Sequence, residues 1–302
     1  MMGTVQKRGL AVVAAIGLAA SPLFAQAGPK VPAAVIADPA PDKAHPAQSI
    51  PVRIPTAGLE VNGLIFTAAG AGPHPTVLVL HGWPGNEKNL DIARSIQRAG
   101  FNAVTFNYRG SWGSPGSWSF ANCMADTQAA LAYLRRPEVA ARLGIDPGKI
   151  AVVGHSLGGV LAARLAAVDG KLAGAAVISA PDLGKTGALA LTDRAAVLKT
   201  AIDNYQALAG TSPEAAVDEL IEHRAEWGFD RMGAALVRTP LLVLSSDDGF
   251  KPMSDPLAAD VRARGGQVET HHAETDHSWS DRRILLQAYV IDWLERRLTP
   301  AK

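Results

Sequence analysis

From residue 75 onward, short unbroken apolar runs alternate with stretches of helical period, and this alternation restricts the chain to one kind of architecture. Pro75 to Leu80, Asn102 to Tyr108, Lys149 to Val153, Leu172 to Ser179 and Pro240 to Leu244 have the length and apolar content of buried strands, and the alternation continues with a strand at Gln267 to His272. Between them, one-faced apolar spacing predicts helices. The first runs through Leu90, Ile92, Ala93, Ile96 and Ala99 to a stop at Gly100, and others cover Ala121 to Leu134 and Leu157 to Val168. Two more are expected at Asp255 to Arg264, closed by Gly265 and Gly266, and at Asp281 to Leu298. Strands covered on both faces read as continuous Val/Ile/Leu/Ala runs, and a helix between consecutive strands keeps them parallel. Val52 to Ile54 and Leu59 to Phe66 add a short antiparallel start. The expected fold class is therefore α/β, a doubly wound and mostly parallel sheet, and 302 residues with 48% apolar composition supply the core it needs.

The alternation breaks once. Residues 182–237 hold helix signals and no strand run: Thr192 is placed to cap one helix, and Ser212-Pro213-Glu214 supplies a capping hydroxyl, a first-turn proline and an acid. This segment is expected to be a small helical cap inserted over the edge of the sheet that carries the chemistry, ordinary packing helices being the other reading. At the other end, Lys7 and Arg8 precede the apolar run Leu10 to Ala20 and a small-x-small site at Ala25-Gln26-Ala27. Residues 1–27 thus read as a signal peptide cleaved near Ala27, since the run is shorter than the roughly 20 residues a membrane span requires. Residues 28–48, rich in Pro and Ala, read as a flexible leader into a domain over 49–302. The mature chain is expected outside the cytoplasm, periplasmic or secreted, with no stable membrane span.

The net charge of +1 leaves nothing to attract a nucleic acid. Cys123 is the single cysteine, which excludes an intrachain disulfide. Its place at the start of a helix suits a packed thiol rather than a nucleophile. No metal-ligand cluster or phosphate loop occurs in the sequence, so neither a metal nor another cofactor is implied.

The chemistry concentrates at Gly154-His155-Ser156-Leu157-Gly158, where the strand ending at Val153 runs into the helix beginning after Ser156. A serine on such a sharp turn is presented as a nucleophile, with small residues on both sides because side chains there would strike the neighbouring elements. A hydroxyl needs a general base. His277, in Glu274-Thr-Asp-His-Ser-Trp279 between the last strand and the last helix, is placed to be that base. His74, His81, His223, His271 and His272 lie in or beside structural elements. The acid that orients the base is expected after the strand Pro240 to Leu244, where Asp247 and Asp248 stand together; Asp248, further past the strand end, is the first choice and Asp247 the alternative. An oxyanion hole is expected from the Leu157 N–H and from the Trp83 N–H in the loop His81-Gly82-Trp83-Pro84-Gly85.

In this order, HGWPG, NYRGSWG, GHSLGG, the Asp247-Asp248 turn and DHSW resemble the α/β-hydrolase superfamily over about residues 50–300. The loop Asn107 to Gly113 resembles the catalytic domain of prolyl oligopeptidase-like enzymes, and the size resembles dienelactone hydrolases and small esterases. Two features depart from those relatives: there is no room ahead of the domain for a propeller, and a serine replaces the dienelactone hydrolases' cysteine. The resemblance implies a serine hydrolase acting on a small ester through an acyl-serine. Peptide or amide cleavage is the first alternative, and a non-catalytic member of the fold that binds a ligand or partner is the second. Trp112, Trp118 and Trp279 fall on loops expected at the active edge and are candidates for an apolar substrate pocket, packing beneath the loops being the other reading.

Overall fold

The computed structural model describes residues 29–299. The expected signal segment lies outside them, as do residue 28 and the last three. A short helix α1 (Ala33–Ile36) precedes the antiparallel pair β1 (Gln48–Thr56) and β2 (Leu59–Thr67). There follow β3 (His74–Leu80), α2 (Leu90–Arg98), β4 (Asn102–Phe106), α3 (Phe120–Leu134), α4 (Pro137–Leu143), β5 (Ile145–His155), α5 (Leu157–Asp169) and β6 (Gly174–Ile178). After β6 come α6 (Leu183–Thr192), α7 (Arg194–Asp203), α8 (Pro213–Glu222), a single 3-10 turn at Phe229–Arg231 and α9 (Gly233–Leu236). The chain ends with β7 (Leu241–Ser246), α10 (Lys251–Ala263), β8 (Val268–Ala273) and α11 (Arg283–Leu298).

The strands form one eight-stranded sheet in the order β1-β2-β4-β3-β5-β6-β7-β8. The β1/β2 and β2/β4 pairs are antiparallel and the other five are parallel, which is the expected doubly wound arrangement. Along each parallel strand alternate residues enter two separate cores. Leu78, Val152, Val177 and Val243 meet α3, α5 and α10, whereas Val77, Val79, Val153, Ile178 and Leu244 meet α2 and α11. This period of two explains why both faces of these strands had to be apolar. At the sheet's outer edges lie β8 and β1, the latter containing Pro51 and Pro55. No helix among the described residues is long and apolar enough to cross a membrane.

Three local expectations need correction. The stretch expected to be a flexible leader is partly docked: Val35 is buried in the α2/α11 core, and Arg98 donates from Nε and Nη2 to the carbonyls of Ala34 and Val35. One buried valine and one arginine suffice to hold a segment whose composition shows no period. Thr192 caps nothing. It is the last residue of α6, its hydroxyl donates back to the Leu189 carbonyl, and Asp193 caps α7 by accepting from the Ala196 N–H. Helix α10 begins four residues before Asp255, because Pro252 sits in its first turn and the ring of Pro256 is accommodated inside it.

Candidate active site

Ser156 stands between β5 and α5 with φ 58° and ψ −123°, a left-handed backbone that a β-carbon-bearing residue adopts only under constraint. The constraint is close packing. A Cβ on Gly154 would collide with the Gly158 carbonyl, and one on Gly158 with the Leu80 carbonyl at the end of β3. The Ser156 N–H donates to the Ile178 carbonyl at 2.8 Å, which fixes the turn to β6. Leu157 is the first residue of α5, so its N–H lies at the positive end of the helix dipole with no carbonyl to receive it within the helix.

Above the turn passes the loop 81–85. Gly82 lies against Ser156, so close that a Cβ on it would come within 2.9 Å of the serine Cβ. The buried His81 donates from Nδ1 to the Gly82 carbonyl at 2.8 Å. In that trans peptide the Trp83 N–H points opposite to the carbonyl, away from the His81 ring. Burial holds the His81 pKa at about 4, so the ring is neutral at ordinary pH. Neither the Trp83 N–H nor the Leu157 N–H donates to another of the described residues.

His277 follows β8, and its Nδ1 lies 2.7 Å from Asp248 Oδ2. The Asp248 side chain is only 2% exposed, and its Oδ1 accepts from the Phe250 N–H at 2.9 Å. Burial raises the pKa of this carboxyl, but the hydrogen bonds from His277 and Phe250 outweigh it and hold the group below the usual aspartate value. Asp247 faces elsewhere: it is 60% exposed and pairs with His272 Nε2 at 3.2 Å. The His277 backbone is held from below, its carbonyl lying 2.7 Å from His155 Nε2. Phe250 sets its ring edge against the His277 imidazole, centroids 5.4 Å apart.

Ser156, Leu157, Asp248 and His277 line one cavity of about 500 Å³. Its remaining wall is mostly apolar and comes largely from α6, α7 and α8: Leu183, Val197 and Leu220 are buried, while Leu189 and Thr200 are exposed at its margin. Trp83, Phe120, Phe250 and Met253 complete it. The segment 182–237 is fastened to the sheet domain by side-chain and backbone bonds alike. Glu219 of α8 accepts from the Phe120 and Ala121 N–H groups at the start of α3, both at 2.9 Å, and Gly110 and Trp118 exchange backbone bonds with Ala209.

The three tryptophans proposed as pocket residues do not line this cavity. Trp118 is buried and stacks on Trp83, centroids 5.5 Å apart, so it backs the wall without forming it. Trp279 is fully buried and donates from Nε1 to Ser179 Oγ, and Trp112 lies outside with Lys88 over its ring and its own Nε1 bonded to the Pro84 carbonyl. A loop position locates an indole only to within the reach of its side chain: Trp118 and Trp279 turned into the packing, and Trp112 lies partly exposed on the surface. Sequence reasoning also missed Phe250, Met253 and His155. Phe250 directly follows the Asp247-Asp248-Gly249 turn, and His155 directly precedes Ser156; adjacency was the one signal available.

The sheet order, the strand-to-helix turn at Ser156 and the insertion after β6 together define a class: the chain has the α/β-hydrolase fold. Residues 75–217 match the family model described as the alpha/beta hydrolase fold. A 110-residue stretch is 33% identical to an uncharacterized protein of Mycobacterium tuberculosis, covering 36% of this chain and 37% of that one, so the match spans little over a third of that relative. Among solved structures, the thermostable carboxylesterase EstE1, cloned from a metagenomic library, superposes with a TM-score of 0.60 at 19% identity, over 85% of this chain and 91% of that one. Est1E from Butyrivibrio proteoclasticus with ferulic acid bound gives a TM-score of 0.61 at 14% identity, over 82% of this chain and 100% of that one. At such identities the likeness is one of fold.

Proposed function

We propose that the chain is an exported serine hydrolase that cleaves small, uncharged carboxylic esters. The observation that carries this reading is the Asp248–His277 pair at 2.7 Å on the wall of the cavity to which the strained turn presents Ser156. His277 Nε2 takes the Ser156 proton as Oγ attacks the ester carbonyl, and Asp248 stabilises the imidazolium. The Trp83 and Leu157 N–H groups receive the oxyanion. Collapse expels the alcohol with the proton from His277, and a water deprotonated by the same nitrogen releases the acid from Ser156. The apolar wall, with Asp248 and His277 its only ionisable side chains among the described residues, favours an uncharged group. The ester reading gains further support from Arg109. This residue of the loop that resembles peptidases is committed to the buried Asp126 at 2.6 Å and stands outside the cavity wall. The solved carboxylesterases agree in fold, and the pattern of residues 1–27 supports export.

A p-nitrophenyl ester series on the secreted chain, with aminoacyl-anilides beside it, tests the proposal. Turnover of neutral acyl esters is expected, lower by at least about tenfold when the acyl group ends in a carboxylate. Ser156→Ala should abolish both turnover and labelling by a fluorophosphonate, and an intact mass beginning at Gly28 is expected. Retained activity in Ser156→Ala would sink the mechanism, anilide turnover without ester turnover the substrate class, and an uncut N-terminus the export.

A further inference from the structure

His155 has no part in the proton transfers set out above, yet it is the last residue of β5, directly before Ser156, and is only 4% exposed. Its Nε2 lies 2.7 Å from the backbone carbonyl oxygen of His277, and the two imidazoles pack at 4.7 Å between centroids with 45° between planes. A carbonyl only accepts, so Nε2 carries the hydrogen, and Nδ1 of the neutral ring keeps its lone pair. Nδ1 is buried with no partner among the described residues, as that tautomer permits at little cost. Burial, reinforced by the neighbouring His277, pushes the His155 pKa down to about 4, so the ring is uncharged at neutral pH.

The other ties on the 276–280 turn lead elsewhere. Arg283 of α11 donates to the Ser278 carbonyl at 2.9 Å, and Trp279 Nε1 donates to Ser179 Oγ, just past β6, at 3.1 Å. Asp248 holds the His277 ring at Nδ1 alone, which fixes its tautomer and tilt but leaves its Cα free to ride with the turn. Among the bonds described, the His155 Nε2–H···O=C contact alone joins the backbone of His277 to the chain segment that carries Ser156.

We propose that His155 is a positioning residue for the hydrolysis: through that bond it ties the His277 backbone to the Ser156 turn, so that imidazole and hydroxyl keep one separation while the proton passes between them. This rests on the reading of Ser156 as nucleophile and His277 as base. Its size follows from the sensitivity of proton transfer to alignment, since a displacement of about 1 Å costs on the order of a hundredfold.

The test compares His155→Met, which keeps bulk but has no donor, with His155→Gln, whose amide N–H reaches toward the same carbonyl, and His155→Asn, whose amide falls short. Circular dichroism and thermal melting establish that each is folded. In His155→Met kcat on a p-nitrophenyl ester is expected to fall roughly 10- to 100-fold with KM within about twofold. Fluorophosphonate labelling should slow in the same ratio. His155→Gln is expected to recover most of the loss and His155→Asn little of it. A folded His155→Met with the kcat of the unsubstituted chain would overturn the proposal. If His155→Met does not fold, the Gln and Asn variants decide: equal kcat values in those two overturn the proposal, and a Gln variant well above the Asn variant supports it. Ser156→Ala, assayed in parallel, separates the two ideas, because activity surviving there condemns the serine mechanism itself, whereas an inactive Ser156→Ala beside a fully active His155→Met condemns only the role of His155.

Discussion

Two adjacent aspartates leave β7 in the same turn and end in different surroundings. Asp248 is buried and receives hydrogen bonds from His277 and the Phe250 N–H, whereas Asp247 is exposed and pairs with His272. Asp248→Asn should therefore leave the fold intact and lower kcat by on the order of a thousandfold or more, since the amide can present its N–H to Nδ1 and so favours the wrong imidazole tautomer. Asp247→Asn should change kcat by less than about threefold, its partner His272 being exposed and outside the cavity wall. Ester kinetics on the two variants check this, and a comparable loss in both would remove Asp248 from its proposed role. The sequence ranked these residues by their distance past the strand, which is a statement about backbone reach. It had no comparable guide for Trp112, Trp118 and Trp279, whose rings rotate about two side-chain bonds and end away from the cavity, two of them buried and one partly exposed.

At the scale of elements, the wall of the cavity depends on how closely α6 lies on α8. Gly187 faces the Leu220 carbonyl and Gly184 the Arg224 carbonyl, each leaving no space for a Cβ against backbone. Asp182 closes the same unit, capping α6 through the Lys185 N–H and accepting the Phe229 N–H from the 3-10 turn. Gly187→Ala should thus force α6 off α8 and destabilise the chain by about 1–3 kcal/mol. Urea unfolding measures the loss, and faster limited proteolysis within 183–237 should accompany it; unchanged stability and proteolysis would mean that the helices have slack. Helix α2 was legible because an apolar face announces it, and β3 and α5 because their sequences are apolar almost throughout. Helix α4 was missed: seven residues between Pro137 and the left-handed Gly144 are too few to show a period, although both end signals were present. Helix α1 is shorter still and depends on tertiary contacts that no local pattern encodes.

For the whole molecule, two buried imidazoles couple folding to acidity. His81 and His155 have folded pKa values of about 4 against an ordinary value of 6.5. Between those values the unfolded chain binds the extra protons, so stability rises with pH there and falls as acid is added. The loss begins below about pH 6.5, reaches roughly 2–3 kcal/mol for each ring by pH 4.5, and is complete below both values. Urea midpoints at pH 7.5 and 4.5 should differ accordingly, and the double substitution His81→Asn with His155→Gln should flatten most of the difference. A decline equally steep in that variant would assign the effect to other groups. Sequence reading took His81 as structural and gave His155 no role of its own, because the depth of burial that moves these groups is set by strands and loops distant in the chain. The sheet was legible from end to end, since the central parallel strands β3 to β7 carry their burial in their composition, while the polar edge strand β8 was legible from its place in the alternation.

The free edges of that sheet bear on how the protein behaves at high concentration. Two of the nine residues of β1 are prolines, so its outer rim lacks a continuous row of N–H groups on which a foreign strand can add. At the opposite rim, β8 carries Glu269, bridged to Arg296 of α11 at 2.9 Å, and His271, stacked on Tyr289. An incoming strand there must meet charge and an aromatic clamp. Growth of the sheet by strand addition is discouraged at both rims, and chains crowded together, or newly refolded, are steered away from templated aggregation by features that take no part in catalysis.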